Sequence, residues 1–361
     1  MRSSVLLIAW CVLAPLAMCW PVNGRGQPPS VLDTCAARAG TGSPVPVTWH
    51  VSSHEDLGEL ERWCRAVGRP VIVLSPPGGV DELPGPDDLV VLTWNAHMFE
   101  GDLGALIADL RAGRLTGGQP VKHFVLLLQE LYRRGSDVPP FPADGRSAFA
   151  ITGRDGRGGD AHDHATTLGL SMLYVPSMRN GANAFEDRGN AIVSTERLHA
   201  PFAVELPLER QRRVAVGAAI DVRTIDGPDR LDVVTAHLEP MSSRASLWIF
   251  SSPRPRQVVA LLNVLRTSRP SQAVRSSGTV LGGDFNTIQA GAGEDAYSIA
   301  RAWSRSLMSE DPRRTHVMGR LDYLFFRLQD GWTASTTRVG AKYGSDHHPV
   351  VGRLAPRQVS P

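Results

Sequence analysis

The sequence predicts an α/β fold in which strands dominate, packed as sheets with a polar site along one rim. Three observations carry this reading. From Asp88 onward, short apolar runs recur and each closes on a polar cluster. Only a few stretches show the 3.6-residue spacing of an amphipathic helix. The breaks between runs are rich in Gly, Pro and Asp, as turns are. Polar residues collected at strand ends are what packed sheets with chemistry on one edge produce.

The chain opens with Arg2 and an apolar run from Val5 to Trp20, stopped by Pro21, Asn23 and Gly24. A charged start, a short apolar region and a helix-breaking end define a secretory signal peptide over residues 1–20. At about 16 residues the run is short for a membrane span. Ala17-Met18-Cys19 allows cleavage near Cys19; an uncleaved anchor is the alternative, and a lipid on Cys19 is disfavoured by the bulk of Met18. The expectation is an exported protein, secreted or periplasmic. Once the segment is removed, Cys35 and Cys64 remain. An even pair in an exported chain points to one disulfide, with two buried thiols as the alternative. The spacing is unlike that of a zinc site.

Residues 21–46 read as a Gly-, Pro- and Ser-rich tether. Val47 to Val51 is a strand, Glu55 to Val67 a helix spaced by Leu57, Leu60, Trp63, Cys64 and Val67, and Val71 to Leu74 a second strand. We read residues 21–87 as an N-terminal extension leaning on the main body, bounded by the Pro-, Gly- and Asp-rich stretch 77–87. The main domain spans 88–356, followed by a tail, 357–361.

Within that domain, strands are expected at Leu89 to Thr93 (leading into Trp94-Asn95), Phe124 to Leu128 (into Gln129-Glu130) and Leu170 to Val175. Further strands are expected at Ala191 to Ser194, Val214 to Val222, Leu231 to Ala236, Val280-Leu281 and Leu321 to Phe326. Helices fit Gly104 to Ala112, Arg256 to Arg266 and Asp295 to Arg305. A long loop, 133–165, carries His162-Asp163-His164, a weak candidate for a second metal. There is no internal sequence repeat. The formal charge of +2 over 361 residues argues against a dominant polyanion-binding face, although balanced totals can hide a local basic patch.

The chemistry-bearing residues sit at these strand ends. In Gly282-Gly283-Asp284-Phe285-Asn286, glycines permit a close backbone approach. Asp284 and Asn286, two apart on an extended chain, would point to one side and offer a carboxylate base and an amide. Glu130 after an apolar strand, with Asn95, suits a hard cation that prefers oxygen; alone it reads as a cap or surface pair. His237 ends another strand. Asp346 precedes His347, and a carboxylate can fix an imidazole tautomer, although neighbours on a strand point oppositely, so Asp346 would serve through a loop or orient another histidine such as His237. Asp322, an acid inside an apolar strand, calls for a partner or a metal.

Taken as an ordered series, Asn95, Glu130, His237, Asp284 with Asn286, Asp322, and Asp346 with His347 resemble the endonuclease/exonuclease/phosphatase superfamily from about Asp88 to Leu354. That resemblance implies a deoxyribonuclease-I-like four-layer sandwich of two mixed β-sheets flanked by helices. It also implies Mg²⁺-dependent hydrolysis of phosphate esters, with Mn²⁺ or Ca²⁺ as possible substitutes. Glu130 resembles the principal metal ligand, with Asn95 beside it and Asp322 counted as a further ligand or as support for a histidine. Asp284 resembles the residue that prepares water, Asn286 its phosphate-contacting neighbour, and His237 and His347 the pair around the scissile phosphate, with Asp346 in support. Asn190, in Asp187-Arg188-Gly189-Asn190, falls near the site by the same resemblance. Arg212 and Arg213 are candidates for a phosphate clamp, or solvated charges.

Substrate is open, because one fold hosts many functions. The connection Glu239 to Pro255 carries Arg244, Trp248, Ile249, Phe250 and Arg254, with Arg256 just beyond. Aromatics among arginines could stack on unpaired bases or dip into a lipid interface, or simply pack the loop down. A monomeric exported nuclease is favoured. A sphingomyelinase-like enzyme acting on a phospholipid head group, or a small-molecule phosphodiesterase or phosphatase, is the alternative. A catalytically silent binding protein ranks last.

Overall fold

The computed structural model describes residues 47–356 except 53–56, 76–81, 137, 140–159, 180–184, 210, 225, 241–252, 268–275 and 288–294. The signal segment, Cys35 and hence its pairing with Cys64, the tail, and Arg244, Trp248, Ile249 and Phe250 lie outside the described residues. Among the described residues no helix is long and apolar enough to cross a membrane.

In chain order the elements are β1 (Thr48–Val51), α1 (Leu57–Ala66), β2 (Val71–Val73), β3 (Leu89–Asn95), α2 (Leu103–Arg111), β4 (His123–Arg134) and α3 (Ala161–Thr167). There follow β5 (Ser171–Arg179), β6 (Glu186–Ser194), β7 (His199–Glu205), β8 (Val214–Thr224), β9 (Gly227–His237), α4 (Pro253–Thr267) and β10 (Ser276–Asp284). The chain closes with α5 (Asp295–Ser304), β11 (Leu307–Ser309), β12 (Asp322–Leu328), β13 (Trp332–Arg338) and β14 (Val350–Pro356).

The strands form two mixed sheets. One is six-stranded, in the order β1-β7-β8-β9-β10-β12; the other is eight-stranded, in the order β11-β13-β14-β3-β4-β6-β5-β2. Period-two alternation decides what each face meets. Val91, Val125, Leu127 and Ile192 point inward from the larger sheet against Val216, Val233, Val280 and Leu324 of the smaller. The alternate residues Leu92, Leu126 and Val193 point outward and are covered by Leu106, Ile107 and Leu110 of α2 and by Ala161 and Ala165 of α3. On the far side Val234, Leu281 and Phe325 are covered by Val258 and Leu261 of α4 and by Ala296 and Ala300 of α5. The result is the helix–sheet–sheet–helix sandwich that the resemblance implies. Truncating an interlayer leucine such as Leu127 to Ala would cost ~2–5 kcal/mol.

Several local expectations change. Two strands of the N-terminal extension are woven into the sheets: β1 pairs parallel with β7, and β2 pairs antiparallel with β5. The strand expected to stop at Leu128 runs on to Arg134 through a bulge between Leu128 and Leu131. His162-Asp163-His164 is helical, in α3, whose N-cap is Asp160: its Oδ1 accepts from the His162 amide at 2.8 Å. The ring of His164 stands edge-on to Phe99, 5.3 Å between centroids. Strand β11 is short and β13 is mostly Ser and Thr, so neither gives a clear apolar signal; β7 is also not among the expected strands.

Candidate active site

Three strand termini of the smaller sheet meet in register. Asp284 at the end of β10 lies opposite His237 at the end of β9 and Asp322 at the start of β12. Gly283 permits this closeness. Its φ is +151°, and a Cβ there would lie 1.8 Å from the Ala236 carbonyl oxygen, so any side chain would force β9 and β10 apart.

The larger sheet delivers the opposing groups. Asn95 ends β3 beside Gln129 of β4. At the β4 bulge Glu130 adopts a left-handed φ of +55°, the kind of strained position that re-aims a side chain. Gln129 Nε2 ties the sheets together, donating to Thr235 Oγ1 at 2.8 Å. Asn95 Nδ2 crosses the same gap to donate to Asp284 Oδ2 at 3.0 Å. The turn after Asn95 is left-handed at His97, Met98 and Phe99. It aims the Met98 amide at Glu130 Oε2, 3.1 Å, and the His97 amide at Asn95 Oδ1, 2.9 Å.

The third contribution is the loop before β14. Ser345 Oγ donates to the Asn95 carbonyl at 2.7 Å and accepts from the His347 amide at 3.0 Å. His347 Nδ1 pairs with Asp322 Oδ2 at 2.8 Å, and its Nε2 stands 3.8 Å from Asp284 Oδ2. His237 Nε2 approaches the same carboxylate oxygen at 3.6 Å, with its Nδ1 3.8 Å from Glu130 Oε1. Asp284 is thus flanked by two imidazoles, and its Oδ1 accepts from the Asn286 amide at 2.9 Å.

The electrostatics follow from burial and neighbours. Burial pushes the Asp284 carboxyl up to about 7, against the pull of His347. Burial also works against charging His347, but Asp322, Asp284 and Asp346 outweigh it and raise this imidazole to about 10. Burial holds His237 well below its ordinary value, assisted by the guanidiniums of Arg213 and Arg188. One histidine is therefore a cation and the other neutral near pH 7.

Most of the expected residues converge here, with four qualifications. Asp322 pairs through Oδ2 with His347, and its Oδ1 is buried without a hydrogen bond. Asp346 does not orient His237: its carboxylate lies 3.1 Å from His97 Nδ1, 3.4 Å from His316 Nε2 and 3.8 Å from His347 Nε2. Asn286, with φ +51°, departs from the extended spacing and donates from Nδ2 to the Leu238 carbonyl at 2.9 Å. Arg212 is turned away from the site altogether. It is buried, paired with Glu205, donates to the Pro176 carbonyl at 3.0 Å and lies over Trp49. Arg254 and Arg256 also face protein, on the Pro240 carbonyl at 3.2 Å and Glu209 at 3.0 Å.

Arg213 and Asn190 line a recess with Glu130 and His237. Asn190 Nδ2 is held by the Val214 carbonyl at 2.7 Å. The sequence reading gave no role to Arg188, which lines the same recess 3.6 Å from Glu130, nor to His97 and His316. Arg188 sat in view, two residues before Asn190; the two histidines lie in segments without a motif.

The donor set suits a hard divalent cation. Glu130 Oε1 accepts no hydrogen bond among the described residues, and Asn95 brings an amide oxygen that also accepts from the His97 amide. Asp284, Asp322 and His347 also bring ligand-type atoms within 4.8 Å of one another.

The model of the endonuclease/exonuclease/phosphatase family matches residues 92–347, well over half of the chain. No curated protein gives a match. Among solved structures, an endonuclease/exonuclease/phosphatase from Beutenbergia cavernae is 18% identical, with 74% of this chain and 71% of that one covered and a TM-score of 0.45. The human Nocturnin catalytic domain is 16% identical, with 76% and 97% covered and a TM-score of 0.46. A family protein from Leptotrichia buccalis is 15% identical, with 74% and 99% covered and a TM-score of 0.49.

Proposed function

The chain belongs to the endonuclease/exonuclease/phosphatase family, and on that premise we propose that it is a metal-dependent phosphodiesterase whose substrate is nucleic acid. The observation that carries this reading is the Asp284 carboxylate set between two imidazoles, 3.6 and 3.8 Å away. A base next to paired histidines can prepare water on one side of a phosphate and steady its oxygens on the other. Glu130 and Asn95 would hold the cation, Mg²⁺ by donor type, which when bound supplies Lewis-acid polarisation of a phosphoryl oxygen.

The chain's own residues divide the remaining work. Asp284, a carboxylate with a raised proton affinity, accepts the proton of the attacking water; the Asn95 amide and the Asn286 backbone fix its orientation. His347, kept cationic by Asp322, opposes charge growing on the phosphoryl oxygens. Neutral His237 donates a ring N–H without adding charge. Export and the Cys35–Cys64 disulfide rest on the N-terminal sequence alone.

The test uses residues 21–361 with bis(p-nitrophenyl) phosphate and supercoiled plasmid, with and without Mg²⁺. We expect Mg²⁺-dependent turnover of both, falling about 10²–10⁴-fold in Asp284→Asn. A folded wild-type protein inert on both substrates would overturn the proposal. Turnover of sphingomyelin but not plasmid would move the substrate to a phospholipid head group.

A further inference from the structure

The recess beside His237 contains two buried guanidiniums that lack the partners given to other buried arginines. Arg133 donates from Nε to Asp187 Oδ1 at 3.0 Å, and Arg212 is locked onto Glu205. Arg188 and Arg213 are equally buried, 5% and 4% exposed. Yet among the described residues Arg188 meets a thioether, Met178 Sδ at 3.1 Å, and pairs loosely with one carboxylate, Glu130 at 3.6 Å. Arg213 bonds the neutral side chain of Gln211 at 2.8 Å, and its Nε is buried without an acceptor. Among the described residues no carboxylate lies within ion-pair distance of Arg213. Buried charge that is not fully paired is costly; Arg213 has no ion pair among the described residues and Arg188 has one loose pair, with Glu130, so an anion joining the two guanidiniums would complete both.

We infer that Arg188 and Arg213 form a subsite for a second, non-scissile phosphate, a terminal phosphate monoester on the nucleotide strand whose neighbouring diester is cleaved. The inference rests on the phosphodiesterase reading above. Two guanidinium forks match a dianionic phosphate in charge and donor geometry. The recess is far below the size of a drug-like ligand site, so it has no room for a base. Its lining includes Glu130 and His237, which places the subsite next to the reacting phosphate. The Asn190 amide is already committed to Val214, leaving the two arginines as the charged donors.

The experiment compares thymidine 5′-(p-nitrophenyl phosphate) with and without a 3′-phosphate, and the reversed pair, thymidine 3′-(p-nitrophenyl phosphate) with and without a 5′-phosphate. Each pair shares its leaving group and differs by one phosphate monoester. The readout is the ratio of kcat/KM within a pair. We expect one pair to favour the phosphorylated member by roughly 10- to 100-fold, the worth of a charge-assisted hydrogen bond. Arg213→Gln and Arg188→Gln should carry that ratio toward one, with partial recovery in the Lys variants. A merely structural role would lower both members together and keep the ratio. A wild-type ratio near one in both pairs, or a ratio that survives both Gln variants, overturns the subsite while leaving the phosphodiesterase reading intact. If the wild type turns over none of the four substrates, the catalytic reading is decided by bis(p-nitrophenyl) phosphate and plasmid as above, and inorganic phosphate decides the subsite. A rise in Tm with phosphate in metal-free protein, abolished by Arg213→Gln, supports it; no rise overturns it. Where Arg213→Gln does not fold, Arg188→Gln serves for the same comparisons.

Discussion

The two flanks of Asp284 contain the same residue type in opposite company. On one flank His347 is bound to Asp322, with Asp346 close by. On the other, His237 shares a recess with Arg188 and Arg213. The acids hold the first imidazole cationic, and burial beside the guanidiniums keeps the second neutral. An imidazole thus takes its chemical role from the strands that surround it rather than from its own identity. The division also separates charge: a fixed positive imidazole on one side of Asp284, and a neutral one beside two guanidiniums on the other.

The comparison can be broken at its centre. Asp284→Asn removes the group both histidines address, and we expect the largest effect, a fall of about 10²–10⁴ in kcat/KM. Next come the histidines themselves. His347→Gln loses a cation and should cost about tenfold more than His237→Gln, which retains an N–H donor where a neutral donor stood. Equal losses in steady-state kinetics would mean that the charge asymmetry has no catalytic weight.

The acidic flank can then be sharpened by pH. His347 has its proton affinity raised by folding, so the stability it contributes is complete below its ordinary value near 6.5 and disappears as pH rises through about 10. Urea midpoints of metal-free protein should fall across that window, and Asp322→Asn should flatten the decline. The smallest effect on chemistry belongs to Arg212→Met. It strands Glu205 in the core and should lower stability by ~3–5 kcal/mol, with kcat/KM of the folded enzyme within twofold of wild type. A large kinetic loss there would place Arg212 nearer the substrate than its pairing with Glu205 does.

Much of this arrangement was legible in the sequence, because strand ends are marked by a change from apolar to polar residues. Val233-Val234-Thr235-Ala236 announces His237, and Val280-Leu281 announces Gly282-Gly283-Asp284. What the pattern conceals is whatever depends on pairing. The bulge that presents Glu130 looks like a strand end, since one extra residue leaves no compositional trace. Strand β13, Trp332 to Arg338, is mostly Ser and Thr and lies on a polar face. Arg212 and Arg213 are adjacent, chemically alike and lie just before β8, yet one side chain goes to Glu205 and the other to the recess. Nothing in their own sequence distinguishes them.

Gly282 lies between the layers, and a methyl group there would sit 2.7 Å from Leu324 and 2.8 Å from Leu127. Two residues on, Asn95 reaches from one sheet to Asp284 on the other at 3.0 Å. That hydrogen bond is a feeler gauge for the width of the gap between two walls. A core substitution that widens the gap by a few tenths of an ångström would leave the protein folded and its calorimetric trace almost unchanged. The same substitution would slacken a polar contact that joins the walls at the candidate active site. Turnover number would then register a change in interior spacing that bulk stability does not, which makes this active site a sensitive reporter of how tightly its own two halves are clamped.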